Sequence, residues 1–514
     1  MVGARTFQSA ATPDTDRGCL QSQTVMPSYV AADWKVRAPM RGPTSRSQCA
    51  GPAGLTHDTV GRLVDETEVL WYQNSVMRVF VTALLGALSI GRLAEAEQDW
   101  PQFRGPRGDG SSMAKDVPLT WSETNNVAWK VAVPGRGRSS PIVLKDRVWL
   151  TTALEQGVKR ETIESDDMQT AEHVTLEAVC VEAARGRILW RTALFEVEKP
   201  APVHWYNSWA TPTPVVESGR VYCDFGTFGT ACLDAKTGRI RWRTHLAVDH
   251  HVGPGSSPVL CGNLLILVRD GRDSQYVAAV DKQTGKTVWK VDRPPIKASR
   301  GNLKKSFVTP LVVSTGGRTQ LVSPGAHWVV SYEPGTGKEL WRARHGEGFS
   351  IGSCPVFNQG LAIFSTGCMK AQLCAVRVDG EGDVTATHVA WKIPRQVPVM
   401  SSPVLAGDEI YWVSDEGMAS CGDARTGEIH WQERLGGLHL ASPLYAEGRV
   451  YFFAQDGRAT VVKAGRQFVK LAENRVEGPL VATPAIVDGA IVLRTDSELY
   501  RVQNKREQGA HNVD

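Results

Sequence analysis

Two adjacent imidazoles, His250 and His251, precede the turn Gly253-Pro-Gly-Ser-Ser-Pro258, and two carboxylates, Asp270 and Asp273, follow on the next hairpin. Nitrogen and oxygen donors brought together in this way could share a cation. The plainer expectation is that they are polar loop residues, with the aspartates capping a turn, and no metal site is assigned to them. The ten cysteines raise a second question, because thiols of an exported chain tend to pair. Cys180, Cys232 and Cys421 each stand two residues before a turn acid, at Glu182, Asp234 and Asp423; Ala279 and Ser331 fill the same slot, and Cys374 is placed there as well. A slot that takes Cys, Ala or Ser is small and buried, so unpaired structural thiols are expected. Cys223 with Cys232, across one hairpin, is the remaining candidate for a bridge. No Gly-x-Ser-x-Gly elbow, His-Glu-x-x-His helix, Walker loop or kinase motif set occurs, and no catalytic residue is assigned.

The elements that must carry these residues are repeated. A Ser/Thr/Cys-Pro step followed by an apolar run recurs at Ser140, Thr213, Ser257, Thr309, Cys354, Ser402, Ser442 and Thr483. Most intervals are 40 to 52 residues, the length of a four-stranded blade, while the first is 73 because of an insertion around Glu155 to His173. After each Pro come a strand, a turn with Gly or Asp, and a second strand such as Arg220-Val221-Tyr222. A third strand ends in an Asp-x-x-Thr-Gly turn, and a fourth carries a Trp, as in Asp234…Thr237-Gly238…Trp242. The acid accepts turn N–H groups, Gly permits positive φ and the indole packs between blades. Trp190, Trp242, Trp289, Trp341 and Trp431 are therefore expected to be structural docking residues.

These signals predict an all-β fold, an eight-bladed β-propeller of four-stranded antiparallel blades. The eighth unit, from Thr483 to about Val502, has room for only three strands. Its fourth is expected from the N-terminal strand Asn126-Val-Ala-Trp129-Lys-Val, which would close the ring and remove exposed sheet edges. The propeller then spans 126–502, with a turn-rich segment at 97–125 packing on it and a polar tail at 503–514.

The formal net charge is only +4 over 514 residues, with no long basic run, which argues against a nucleic-acid partner. Met77–Ala96 reads as a basic start, an apolar core too short to span a bilayer, and an Ala94-x-Ala96 end, the pattern of a secretory signal. Residues 1–76, rich in Pro, Ser, Thr, Gly and Arg, are then a spurious or disordered extension, and the mature chain starts at Glu97 without a transmembrane span. A cytoplasmic extension with an internal apolar helix and a membrane anchor are the alternatives.

In a propeller the loops entering the innermost strands gather around one mouth, the largest concave surface the fold offers. Here they hold Arg136 and Arg138, His204-Trp205-Tyr206-Asn207, His250 and His251, Arg300 with Lys304 and Lys305, then His345, Arg395 and His439. Basic and aromatic groups outnumber acids in this set, so an anionic or planar small ligand is expected there.

The Asp-x-x-Thr-Gly-x-x-x-Trp turns resemble the tryptophan-docking repeats of pyrroloquinoline-quinone (PQQ)-like propellers, a superfamily that includes quinoprotein alcohol dehydrogenases and the outer-membrane assembly lipoprotein of bacteria. The opening Trp100-Pro-Gln-Phe-Arg-Gly-Pro-Arg-Gly-Asp-Gly110, with Pro134-Gly-Arg-Gly-Arg-Ser-Ser-Pro141, is similar to that of exported PQQ-like propeller proteins. The likeness covers about residues 99–502. It implies a monomer in the periplasm or cell envelope that binds an envelope protein or a small ligand, or else a PQQ-dependent alcohol or sugar dehydrogenase using PQQ and Ca²⁺. The sequence departs from the dehydrogenase pattern in having no adjacent cysteines and no Cys-x-x-Cys-His haem site.

Overall fold

The computed structural model describes residues 99–505. The expected signal at Met77–Ala96, the residues before it, Glu97 and most of the tail lie outside them.

Each Ser/Thr/Cys-Pro step opens a short strand, because Pro has no N–H to offer a ladder and is tolerated only at a strand's start. Val215–Glu217 is typical: it pairs with Arg220–Asp224, which pairs with Thr230–Asp234, which pairs with Ile240–Thr244, all antiparallel. Eight sheets with such a four-stranded antiparallel core are present among the described residues, two of them with a fifth short strand, Ser111–Ser112 or Gly382–Asp383, added in parallel, and a ninth, smaller sheet lies beside the first. Middle strands such as Leu264–Asp270 are covered on both faces, which is why they read as unbroken apolar runs. Outer strands such as Ile240–Thr244 alternate between half-buried and exposed. The core lies between sheets: Ile266, Val277 and Trp289 of one pack with Leu321, Val330 and Tyr332 of the next. The protein is all-β and propeller-like. No described helix is long and apolar enough to cross a membrane.

The tryptophans dock on the following sheet. Trp289 lies over Gly337, whose φ is +74° and where a Cβ would meet the indole at 2.6 Å. Its Nε1 donates to Pro334 O at 3.0 Å. Trp190, Trp242 and Trp391 stand in the same way over Gly238, Gly285 and Gly427, and Trp129 over Gly186. The glycine therefore serves twice, for the turn and for the absent Cβ. Trp341 departs from the pattern. Its successor sheet lacks the Thr-Gly turn, and its Nε1 donates instead to Gln320 Oε1 of its own sheet at 2.8 Å. Trp289, Trp341 and Trp431 are buried; Trp190 and Trp242 are half-buried.

The small slot stands opposite the indole. Cys180, Cys232, Ala279, Ser331 and Cys421 each pair with the Trp of the next strand. In the fifth sheet that partner is Ala375, and Cys374 faces Lys392, one residue away from the expected slot. Cys223 pairs with Ala231 and Cys232 with Tyr222, so the two thiols point to opposite faces of their sheet and cannot bridge. The eight described cysteines are free.

Val127–Ala132 pairs antiparallel with Glu498–Gln503, beside Ala490–Arg494 and Ala485–Val487. The segment from Trp100 to Ser112 touches one inner strand after another. Trp100 exchanges backbone hydrogen bonds with Val143, Val216 N–H donates to Pro101 O, and Tyr445 N–H donates to Gly110 O. The Arg104 guanidinium, almost fully buried, donates to Pro403 O and Asp109 O. The insertion extends the first sheet into Arg147–Gln156 and His173–Glu182 and carries a hairpin, Lys159–Ile163 with Asp166–Thr170, that pairs with Val203–His204.

Candidate functional site

The loops entering the inner strands surround a cavity of about 640 Å³. Hydroxyls of Ser140, Thr213, Ser257, Thr309, Ser442 and Thr483 form its waist, and Phe103 of the N-terminal segment reaches it. Phe307 and Phe349 add aromatic wall.

Its titratable groups are of both kinds: Arg138, His204 and Lys305 against Glu164, Asp166 and Asp415. Arg138 is 8% exposed, and its Nε and Nη1 are buried with no hydrogen-bond partner. Burial pulls its pKa below the ordinary value in spite of the nearby Asp496. Burial likewise lowers His204 and Lys305 and raises Asp415, whose Oδ1 accepts the N–H groups of Val399 at 2.9 Å and Met400 at 3.3 Å.

Of the residues expected from sequence, Arg138, His204, Tyr206, Asn207 and Lys305 line this cavity. Asn207 is occupied there, donating from Nδ2 to Val252 O at 2.9 Å and Pro254 O at 3.1 Å. Arg136 holds the insertion, through Gln169 Oε1 and, at 3.2 Å, Trp205 O. His250 and His251 line a smaller neighbouring cavity of about 320 Å³. Both ring nitrogens of His250 are buried without partners, and burial pushes its pKa down to about 3. His345 is buried with Nε2 2.9 Å from Gly325 O, and burial holds it at about 4. Arg300 and Arg395 are exposed and do not line the cavity, and of the two expected lysines Lys305 lines it and Lys304 does not. The cation reading of the histidines and aspartates finds no support in the geometry. Asp270 is engaged by Arg293 at 3.0 and 2.7 Å, and Asp273 Oδ1 accepts Asp249 N–H at 2.8 Å. Among the described residues no three His, Cys, Asp or Glu side chains converge on a metal position.

The expected excess of positive charge is corrected by the insertion. It delivers Glu164 and Asp166 to the mouth. The acidic run Glu164-Ser-Asp-Asp167 was the available signal, but nothing in the repeat tells where an insertion folds.

The family described as outer membrane protein assembly factor BamB, a PQQ-like repeat family, matches residues 175–325, 273–381 and 325–467. The chain belongs to this family. A curated relative, the quinohemoprotein alcohol dehydrogenase ADH-IIG of Pseudomonas putida, is 32% identical over 148 residues, 25% of this chain and 19% of that protein. The chain thus spans about a fifth of that relative's length. Among solved structures, BamB from Moraxella catarrhalis superposes with a TM-score of 0.50 at 14% identity, covering 73% of this chain and 99% of that one. A europium-containing methanol dehydrogenase gives 0.53 at 10% identity, covering 78% and 91%. At these identities both likenesses speak for the fold of the family alone.

Proposed function

We propose that the chain is an exported, eight-bladed propeller of the cell envelope that acts as a binding scaffold and takes an anionic or planar ligand in its central cavity. The ring reading treats each of the eight sheets with a four-stranded antiparallel core as a blade and Val127–Ala132 as the closing strand, and is supported by the pairing of that strand with Glu498–Gln503. In this reading 126–502 is the propeller, 97–125 packs on it, and Met77–Ala96 is removed on export to leave a monomer starting at Glu97.

Arg138 carries the ligand reading. A guanidinium buried with two unpartnered nitrogens costs several kcal/mol unless an anion or hydrogen-bond acceptor answers it. Arg138 lines a cavity large enough for a small ligand. A protein of the envelope remains the other kind of partner, supported by the family description and by the fold shared with BamB. No catalytic motif is present in the sequence, which favours binding over catalysis.

A PQQ-dependent alcohol or sugar dehydrogenase is the second reading, favoured by the likeness to a quinohemoprotein alcohol dehydrogenase. PQQ, a planar tricarboxylate quinone, fits the cavity in size, and Arg138 would hold a carboxylate away from Glu164, Asp166 and Asp415. When bound it would accept two electrons from a substrate. A Ca²⁺ beside the quinone would need carbonyl, amide or ligand oxygens, since no three described His, Cys, Asp or Glu side chains converge.

Mixing the purified protein with PQQ, with and without Ca²⁺, and measuring melting temperature and dye reduction with alcohols or sugars tests both readings. A shift without turnover is expected, since a ligand that binds only the folded state stabilises it. Turnover would overturn the scaffold reading, and neither response would sink the quinone reading.

A further inference from the structure

Lys305 lines the central cavity and is 5% exposed. Its Nζ has one hydrogen-bond partner among the described residues, His251 Nδ1 at 2.8 Å. An ammonium can only donate, so Nδ1 is the acceptor and the His251 proton sits on Nε2. That Nε2 faces Glu164 Oε2 at 3.4 Å and Asp166 Oδ2 at 3.8 Å, both delivered by the insertion hairpin. His251 is held in place by strain as well as contact. Its φ is +63°, a conformation uncommon outside glycine, and its N–H donates to Asp249 Oδ1 at 2.9 Å. The backbone of Lys305 is pinned by Ser350 N–H donating to its carbonyl at 2.7 Å.

We propose that Lys305 is a reactive amine that captures an aldehyde or ketone carbonyl entering the central cavity, with His251 as the base that takes up its proton. This rests on the reading of that cavity as a ligand site. A lysine that is buried, faces an imidazole rather than a carboxylate and borders an open cavity is the environment that frees an amine lone pair. The charged and titratable groups around it are His251, Asp166, Asp249, Arg272 and Cys368; their signs are mixed, and burial leaves the amine below its ordinary pKa. His251 Nδ1 accepts the ammonium proton only transiently, because burial, with Lys305 and Arg272, holds the imidazole below its ordinary pKa, and Glu164 and Asp166 partly offset that cost for the imidazolium. The Nζ lone pair then forms a C–N bond to the carbonyl carbon, whose oxygen takes the proton back. Loss of that oxygen as water, with a second proton from the nitrogen, leaves an imine. One amine and one carbonyl give one imine and one water, and no oxidant or reductant is consumed. Phe307 and Phe349 supply apolar wall on the same cavity.

Incubating the full chain with glyoxylate and sodium cyanoborohydride traps such an imine as a secondary amine, and peptide mass mapping finds its position. A single adduct at Lys305 is expected at pH 7, formed at least tenfold faster than at the exposed Lys286 and Lys297. Lys305→Arg should abolish it, His251→Asn should slow it about tenfold, and Lys304→Arg should leave it unchanged, with unaltered melting temperatures showing that each variant folds. Labelling spread evenly over the surface lysines, or full labelling of Lys305→Arg, would overturn the proposal. Measuring PQQ binding in parallel separates the two ideas: no trapping in a protein that binds PQQ sinks the amine alone, and failure of both sinks the cavity reading with it.

Discussion

The backbone N–H of Ser140 donates to the side-chain hydroxyl of Thr213, 2.9 Å away and one sheet further on. Thr213 N–H does the same to Ser257 Oγ, Ser257 N–H to Thr309 Oγ1, Cys354 N–H to Ser402 Oγ, Ser402 N–H to Ser442 Oγ, and Ser442 N–H to Thr483 Oγ1. The Ser/Thr-Pro step is thus a belt that ties inner strands together. Pro holds the residue before it extended, which turns that residue's N–H towards its neighbour. Thr213→Val keeps the shape but strands the buried Ser140 N–H, so a loss of roughly 1–3 kcal/mol is expected in urea unfolding. Thr213→Ser should be close to wild type, and equal stability of the Val variant would refute the belt.

The docking of Trp289 on Gly337 makes a paired prediction. Trp289→Ala should cost roughly 3–5 kcal/mol. Gly337→Ala should also destabilise, because its Cβ would meet the indole at 2.6 Å at a φ of +74°. In the double variant the Cβ meets no indole, so its loss should be smaller than the sum of the two single losses. Additive losses would show that the contact is not shared. Trp190, half-buried and with Nε1 unpartnered, should cost less than Trp289 when replaced by Ala.

The repeat was legible because each of its letters answers a local demand: Pro at a strand start, Gly under an indole, a small residue opposite it. Trp341 is buried against Ala362, Phe364 and Val376 of the next sheet, as a docking residue should be, but it finds no Thr-Gly turn there, and the motif, which ends at the Trp, does not contain that turn. The site was legible only in position. Arg138 and Lys305 differ from Arg136 and Lys304 by one or two residues, and which of them faces the cavity depends on loop geometry, here the short helical turn Gly301–Lys304. Glu164 and Asp166 were beyond reach, since an insertion has no repeat to align with.

Buried histidines set a pH dependence. In the unfolded chain an imidazole takes up its proton near 6.5. In the fold His345 does so only at about 4, burial being the largest cause. Between these values the unfolded state holds more protons, so stability is lost as the pH falls. From pH 7 to 5 the loss attributable to His345 should be roughly 2 kcal/mol. His345→Gln should flatten the urea midpoint against pH relative to wild type over that range. The Glu155 carboxyl, pushed up to about 7 by burial, acts in the opposite sense and is common to both proteins. Parallel curves for the two proteins would refute the assignment.

Arg138 should reveal itself by the cost of keeping it. Its neighbour Arg494 is also buried, but Arg494 Nη1 donates to Ser139 O at 3.0 Å, Ser139 Oγ at 2.5 Å and Thr151 O at 2.8 Å. The two guanidinia repel each other, and burial pulls Arg494 down to about 9. Removing Arg494 should therefore destabilise, since three hydrogen bonds are lost and Ser139 O is left without a donor, while Ser139 Oγ and Thr151 O keep each other. Removing Arg138 strands no partner and relieves both its own desolvation and its repulsion of Arg494. Arg138→Met should raise the unfolding free energy of the ligand-free protein by about 1–3 kcal/mol, with Arg494→Met lowering it by a similar amount. The same Arg138→Met should abolish the thermal shift by PQQ, if that anion is the ligand. A residue that weakens the empty protein and is needed only by the loaded one is held for binding. If Arg138→Met instead loses stability, the guanidinium has a structural partner and the ligand reading of the cavity loses its main support.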